Sequence, residues 1–362
     1  MKIASIIGAR PQFVKEMPIV KEIRKNHHEI IIHSGQHYDY EMSKLFFQDL
    51  DIPKPDYNLD VGSGSHGKQT GEMLIKLESV LLKEKPDLVI VSGDTNTTLA
   101  GAIAASKLNI RLAHIEAGMR NFDKTMPEEI NRIVTDHVSD ILFCSSNISA
   151  SNLKREGITK NVHIVGDVMI DAIKANIKTA ERKSDILKKL KLKSKDYLVA
   201  TVHRAGNTDK KENLGAIINA FLKSEEKIVF PVHPRTEKCL KLHGIYKKLK
   251  NTNVVMTKPV GYMDMLVLEK NARKILTDSG GVQKEAYFFN VPCITLLDAT
   301  EWTETVENGF NILVGANSKK ILDSINNFEI TKGYKELYGK GNAAEKIVGE
   351  LTALKPFIFK NG

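Results

Sequence analysis

Carboxylates, cations and glycines recur in this chain at one kind of place, just beyond a short apolar run. Glu116 follows the run Ile110–Ile115, and Asp94 follows D-L-V-I-V at 87–91. Glu128 stands in Met126-Pro127-Glu128-Glu129, with Arg120, Asn131 and Arg132 nearby in sequence. Arg10 and Lys15 come after the first run, Lys2–Ile7. His203-Arg204 and His233-Pro234-Arg235 follow two later runs. Another run ends in Asp278-Ser279-Gly280-Gly281, with Glu285 one helical turn on. Neighbouring carboxylates suit general acid–base chemistry, in which one group takes a proton and another returns it. Arginine and lysine suit an anion, and histidine beside arginine suits a phosphate or a sugar. Glycines at a helix start let backbone N–H groups approach phosphate oxygens. The set predicts a nucleotide-bound, phosphate-bearing substrate with acids around it. Two reaction classes fit: transfer of a sugar from a nucleotide, or rearrangement of that sugar.

Each residue also has a plainer reading. Ser279 could be the N-cap of the following helix, and Asp94 could cap a helix beginning at Thr95. Lys15 could be a solvated helix lysine, Glu285 a surface glutamate, and the single tryptophan, Trp302, a packing residue. Their agreement on strand ends favours a site. The first glycine segment, Gly8-Ala9-Arg10-Pro11-Gln12-Phe13, is neither a Walker loop nor G-x-G-x-x-G, which disfavours a dinucleotide dehydrogenase. No H-x-x-x-H or C-x-x-C spacing points to a metal. Cys144, Cys239 and Cys293 are widely spaced and odd in number, as in a reducing compartment.

The formal charge of +9 lies largely in lysine-rich stretches such as 188–195. These read as solvated surface, and no helix-turn-helix, zinc finger or aromatic RNA motif accompanies them, so nucleic acid is not expected. A positive balance also suits a polyanionic nucleotide. No apolar run reaches the roughly 18 residues of a membrane span. The apolar start is too short for a signal peptide and reads as the first strand of a cytoplasmic protein.

The elements that must hold these residues alternate. Short β-branched runs at 2–7, 29–33, 87–91, 110–115, 141–144 and 162–165 are separated by helical stretches at 11–24, 69–83, 95–107, 128–138 and 147–156. The rhythm resets near Gly166-Asp167, with a helix at 168–178 and a linker from about 166 to 195. A second series follows: strands at 197–202, 227–230, 253–256, 274–277, 293–296 and 311–314, and helices at 213–223, 237–249, 262–271 and 282–289. Apolar runs bounded by helices indicate parallel strands covered on both faces. The expected class is α/β, two Rossmann-like doubly wound domains, residues 1–167 and 168–340, facing a cleft. A C-terminal helix within 341–362 could cross back to the first domain.

The motifs G-A-R-P-Q-F-V-K at 8–15, S-G-D-T-N-T-T at 92–98, H-I-E-A-G-M-R at 114–120 and P-E-E-I-N-R at 127–132 stand in the same order as in a known family. So do H-R at 203–204, H-P at 233–234 and D-S-G-G-V-Q-K-E at 278–285. Together they resemble the non-hydrolysing UDP-N-acetylglucosamine 2-epimerases. The resemblance implies a glycosyltransferase-B type fold, usually as a homodimer. It implies an isomerase that interconverts UDP-N-acetylglucosamine and UDP-N-acetylmannosamine for cell-surface polysaccharide precursors. UDP would leave carbon 1 as the carbon 2 proton is removed, then add back to the glycal. Asp94, Glu116 and Glu128 are then the acid/base group, with Lys15 and His233 near the reacting centre. Arg10, His203, Arg204, Ser279 and Gly280 hold the diphosphate, and Glu285 holds the ribose. Arg132, Asp278 and Gly281 belong to the same motifs. No cofactor is implied.

The chain departs from the family in three places. Arg204-Ala205-Gly206-Asn207 lacks the glutamate common after the histidine. The segment between Glu116 and Glu128 is short. In bacterial members a second UDP-N-acetylglucosamine activates beside a Q-H-x-x segment and an R-Q pair. Here these read Gln36-His37-Tyr38-Asp39 and Lys68-Gln69, and lysine lacks arginine's planar fork. The family also has members that differ in substrate, such as those using a diacetamido sugar, and the resemblance leaves that choice open. The alternatives are a hydrolysing relative, which would release N-acetylmannosamine and UDP, and a glycosyltransferase of similar fold.

Overall fold

Among the described residues, thirteen short strands, Val- and Ile-rich, build two parallel sheets, as runs buried on both faces should. The computed structural model describes residues 1–36 and 52–353, without the side chains of Arg10 and Pro11. The chain divides into two compact units, residues 1–172 with 337–362, and residues 173–336.

The first unit runs β1 (Lys2–Ile7), α1 (Arg10–Asn26), β2 (His28–His33), β3 (Tyr57–Asn58), α2 (His66–Glu84), β4 (Leu88–Ser92), α3 (Asn96–Lys107) and β5 (Arg111–Ile115). It continues with α4 (Pro127–Val138), β6 (Ile141–Cys144), α5 (Asn147–Arg155), β7 (Val162–Ile164) and α6 (Val168–Lys183), whose end lies past the unit boundary. The sheet order is β3-β2-β1-β4-β5-β6-β7. Side chains alternate across it, as the period of two requires. Leu88 and Ile90 of β4 pack with Ile3, Ile19 and Ile23 on one face. Val89 and Val91 pack with Ala4, Ile6, Met73 and Leu77 on the other.

The second unit runs α7 (Ile186–Lys189), β8 (Leu198–Thr201), α8 (Ala205–Thr208), α9 (Lys211–Lys223), β9 (Ile228–Pro231), α10 (Pro234–Leu242), β10 (Val254–Thr257) and α11 (Tyr262–Asn271). Then come β11 (Lys274–Thr277), α12 (Gly280–Phe288), β12 (Cys293–Thr295), α13 (Thr303–Glu307), β13 (Asn311–Leu313) and α14 (Ser318–Asn327). The sheet order is β10-β9-β8-β11-β12-β13. A last helix, α15 (Ala343–Ala353), returns to the first unit. Its Ile347 and Leu351 join the cluster around Ile3, and Asp171 accepts the N–H groups of Ala343 and Ala344 at 3.1 and 3.0 Å.

One expected helix, 237–249, is two pieces. α10 stops at Leu242 because Gly244 closes it: Gly244 N–H donates to the Lys241 carbonyl at 3.1 Å and Ile245 N–H to the Leu240 carbonyl at 2.9 Å, a Schellman ending. A 3₁₀ turn, Tyr246–Leu249, follows. The lysine-rich stretch at 188–195 holds no long helix. It is the end of α7 and exposed turns, with Lys189 paired to Asp185 at 2.7 Å.

In each sheet the strand order reverses between the first strand and its neighbour on the other side, β1/β4 and β8/β11. Ligands of open parallel sheets bind beyond the strand ends at such a switch point.

Candidate functional site

At the first switch point, α1 leaves β1 and brings Gln12 and Lys15 toward the end of β4. Gly8 and Ala9 both donate to Gln12 Oε1 at 2.9 Å, and Gln12 Nε2 donates to the Ser92 carbonyl at 3.0 Å. Gln12, which the sequence reading did not single out, therefore ties the β1 and β4 ends together. One turn later the Lys15 ammonium pairs with the Glu116 carboxylate. Their side chains are only 12% and 3% exposed, so this is a shielded ion pair. Glu116 follows β5 directly and has φ +69°, a left-handed conformation. Gly93, at φ +71°, leaves room for the pair: a Cβ there would lie 3.3 Å from Lys15 Nζ and 3.4 Å from Glu116 Oε2.

Asp94 is not a helix cap. Thr95 takes that place, its hydroxyl accepting from Thr98 N–H at 3.3 Å. The Asp94 carboxylate instead accepts from Arg132 Nε at 3.1 Å, and its carbonyl accepts from Asn131 at 2.9 Å. Arg132 also donates to Glu129 at 2.7 Å. Glu129 in turn accepts the N–H groups of Asn121 and Phe122 at 3.2 and 3.0 Å, fixing the segment that enters α4. Glu128, beside it in the first turn of α4, is half-buried. Arg132 is 1% exposed and held by these carboxylates, a bracing position.

Under this layer lies a group of charges that the sequence reading left without roles. His114, Asp136, Arg120 and Glu156 form one network: His114 Nδ1 to Asp136 at 2.7 Å, Arg120 to Asp136 at 2.7 Å, and Arg120 to both Glu156 oxygens at 2.8 and 2.7 Å. Burial would push the Asp136 carboxyl up, but His114 and Arg120 hold it below the usual carboxylate range. A sequence signal existed. Glu129, Arg132 and Asp136 share one face of α4, and that polar face is the buried one.

At the second switch point Asp278 directly follows β11 and is wholly buried. Its carboxylate accepts from His203 N–H at 2.9 and 3.0 Å, from Arg204 N–H at 3.0 Å and from the Asn207 amide at 3.1 Å. Asp278 thus holds the loop after β8. The His203 ring, 3.2 Å from Asp278 at Nδ1, is tilted 39° against His233 with centroids 5.8 Å apart. His233 caps α10, accepting from Arg235 N–H at 3.2 Å. Ser279 is the N-cap of α12 by position, but its hydroxyl makes no cap bond. Gly280 and Gly281 form the first turn of α12 and are half-buried; Glu285, further along the helix, is buried. Trp302 is buried beneath Lys284, whose ammonium sits 4.1 Å from the ring centroid.

The first unit thus gathers Lys15, Glu116, Asp94 and Arg132, and the second gathers His203, Arg204, His233 and Asp278. The side chain of Arg10 and residues His37, Tyr38 and Asp39 lie outside the described residues. Gln36 accepts from Thr97 N–H and hydroxyl at 3.0 and 2.7 Å, Gln69 donates to the Gly62 carbonyl at 2.7 Å, and Lys68 is a surface residue 3.8 Å from Glu72. Among the described residues no group of three or more His, Cys, Asp or Glu could hold a metal ion. Among them, too, no helix is long and apolar enough to cross a membrane.

Residues 21–352 match the family model described as UDP-N-acetylglucosamine 2-epimerase. A Methanococcus maripaludis protein named UDP-N-acetylglucosamine 2-epimerase homolog is 58% identical over 357 residues, covering 98% of this chain and 100% of that protein. A Pseudomonas aeruginosa UDP-2,3-diacetamido-2,3-dideoxy-D-glucuronate 2-epimerase is 47% identical, covering 98% and 100%. The crystal structure of the Methanocaldococcus jannaschii UDP-GlcNAc 2-epimerase, in complex with UDP-GlcNAc and UDP, is 48% identical and covers 97% and 99%, with a TM-score of 0.93.

Proposed function

The chain belongs to the UDP-N-acetylglucosamine 2-epimerase family, and from that premise we propose that it inverts carbon 2 of UDP-N-acetylglucosamine to give UDP-N-acetylmannosamine. The observation that carries the reading is the shielded Lys15–Glu116 pair at the end of β5, beside the Gly93–Asp94 turn. The carbon 2 hydrogen has no adjacent carbonyl to acidify it, so direct removal is slow. Elimination avoids this: the C1–O bond to UDP breaks as a carboxylate takes the carbon 2 proton, leaving a glycal. UDP then adds back to carbon 1 while a proton enters carbon 2 from the other face. Such a route needs acids at the sugar and cations at the leaving diphosphate. Asp94, Glu116 and Glu128 supply the first, with Lys15 and His233 near the reacting carbons. Arg10, His203, Arg204, Ser279 and the α12 N–H groups of Gly280 and Gly281 supply the second, with Glu285 at the ribose. The route itself calls for no redox or metal cofactor.

The protein acts, on this reading, as a cytoplasmic homodimer that supplies polysaccharide precursors. A second UDP-N-acetylglucosamine acting as activator would meet Lys68 in place of the family's arginine, a weaker and non-planar contact. The Pseudomonas relative supports one other substrate, the 2,3-diacetamido uronic acid sugar nucleotide.

The test is proton NMR of the whole chain with UDP-N-acetylglucosamine in deuterated water. A UDP-N-acetylmannosamine anomeric signal with deuterium at carbon 2 is expected. Free N-acetylmannosamine would make the enzyme a hydrolysing one. Turnover of the diacetamido substrate alone would move the specificity, and intact substrate without exchange in either arm would overturn the reading.

Asp278 is here a support for the diphosphate loop, not a ligand contact. In Asp278→Asn an amide N–H replaces an acceptor and faces buried donors, a cost of about 1–3 kcal/mol. UDP affinity should fall by about 10- to 100-fold in calorimetry. Wild-type affinity would show that the loop holds its shape without the second carboxylate oxygen.

A further inference from the structure

His114 opens the H-I-E-A-G-M-R run, yet no step of the reaction above uses it. The residue is on β5 with no exposure. Its Nε2 lies 2.8 Å from the Gly93 carbonyl oxygen, and its Nδ1 lies 2.7 Å from Asp136 Oδ1. A carbonyl oxygen can only accept. Asp136 accepts as well: burial would raise its carboxyl, but its charged partners hold it below the usual range and so ionised, while its other oxygen takes Gly118 N–H at 3.0 Å and the Arg120 guanidinium at 2.7 Å. Neutral imidazole carries one N–H and one lone pair, so it would set that lone pair against one of these oxygens. An imidazolium satisfies both. The charges then balance within the network, His114 and Arg120 against Asp136 and Glu156, as a buried cluster requires.

We propose that His114 is a buried imidazolium and a positioning residue, which grips the Gly93 carbonyl and thereby fixes the Gly93–Asp94 turn against Glu116. This rests on the reading of Asp94 and Glu116 as acid/base groups. Gly93 is held at two points: its carbonyl by His114, and its N–H by the Ile115 carbonyl at 3.0 Å. That turn leaves little clearance to the Lys15–Glu116 pair on one side. On the other it carries the Asp94 carboxylate. A turn freed to move by a fraction of an ångström misplaces both acids together, and misplacement by about 1 Å can cost 10²-fold in rate.

Two measurements on the full-length chain decide it. In the first, the histidines are labelled with ¹⁵N and ring nitrogen spectra are taken at neutral pH. One ring with N–H character at both nitrogens is expected, absent from His114→Gln. In Asp136→Asn that ring should lose a proton and show one bare nitrogen. A wild-type spectrum in which the ring lost in His114→Gln has a bare nitrogen overturns the proposal, whatever the activity. In the second, steady-state kinetics of His114→Gln should show kcat lower by about 10- to 100-fold, with KM for the sugar nucleotide within a few-fold. Unchanged kcat, or a loss carried by KM alone, overturns the positioning role. If His114→Gln does not fold, the same ring is identified by its change in Asp136→Asn, and the wild-type spectrum decides. If the wild-type chain shows no epimerisation, the functional reading fails in that assay, and the nitrogen spectrum still judges the imidazolium.

Discussion

Glu116→Gln is expected to slow deuterium incorporation at carbon 2 by about 10²- to 10⁴-fold, the usual contribution of a positioned acid or base. UDP affinity should stay within a few-fold of wild type. Glutamine keeps the shape of the side chain and can still accept from Lys15, but it cannot take a proton from carbon. The site shows how that carboxylate is held. A non-glycine residue at φ +69° carries backbone strain of about 1–3 kcal/mol. The bonds on either side hold it there: Gly93 N–H to the Ile115 carbonyl at 3.0 Å, and Ala117 N–H to the Phe143 carbonyl at 3.1 Å. Strain kept at a strand end, with the side chain turned onto a half-buried lysine, fits a group whose exact direction matters. The measurement is NMR exchange alongside UDP calorimetry. A folded variant with full exchange would remove Glu116 from the acid/base group and leave Asp94 and Glu128. A fall in UDP affinity matching the loss of exchange would point to binding instead.

Strands were the most legible part of this sequence, for a physical reason. A parallel strand covered on both faces must be apolar at every position, so L-V-I-V before Ser92 reads as a strand without any alternation. The two-residue β3 and the short helices α8 and α13 have too few residues to carry a period. Helix α4 shows another limit. Ile130, Ile133 and Val134 are spaced like a core stripe, yet Ile130 is 48% exposed, and Glu129, Asn131, Arg132, Thr135 and Asp136 are the buried side chains. Local hydrophobicity cannot show this, because the partners are remote: Asp94 lies 38 residues from Arg132, and His114 lies 22 residues from Asp136. Residues after strand ends could be nominated from sequence, since the fold puts strand ends at the ligand side. Which of them would touch a ligand and which would brace the others could not. Asp278 illustrates the difference, since its donors lie 71 to 75 residues earlier in the chain.

Gly118→Ala should destabilise the first unit far more than Gly157→Ala, although both glycines have left-handed φ, +77° and +82°. The conformational part is common to the pair, about 1–2 kcal/mol for an L-residue placed there. Their surroundings differ. A Cβ on Gly157 meets nothing within 4 Å. On Gly118 it would stand 2.2 Å from the Ser149 carbonyl oxygen and 2.8 Å from its carbonyl carbon, and backbone cannot rotate away as a side chain can. Relief requires moving α5 or the turn, at about 1–3 kcal/mol more. Movement of the turn is itself constrained. Gly118 N–H donates to Asp136 at 3.0 Å and its carbonyl accepts from Asn152 at 3.0 Å, so shifting it loosens the carboxylate that faces His114. Thermal unfolding of the two variants separates the terms. At about 2–4 °C per kcal/mol for a domain of this size, Gly157→Ala should lose a few degrees and Gly118→Ala clearly more. Equal losses would mean that α5 yields freely at Ser149. The turn would then not be the rigid joint between Glu116 and α4, and the acid/base group would have to be positioned from the β4 side alone.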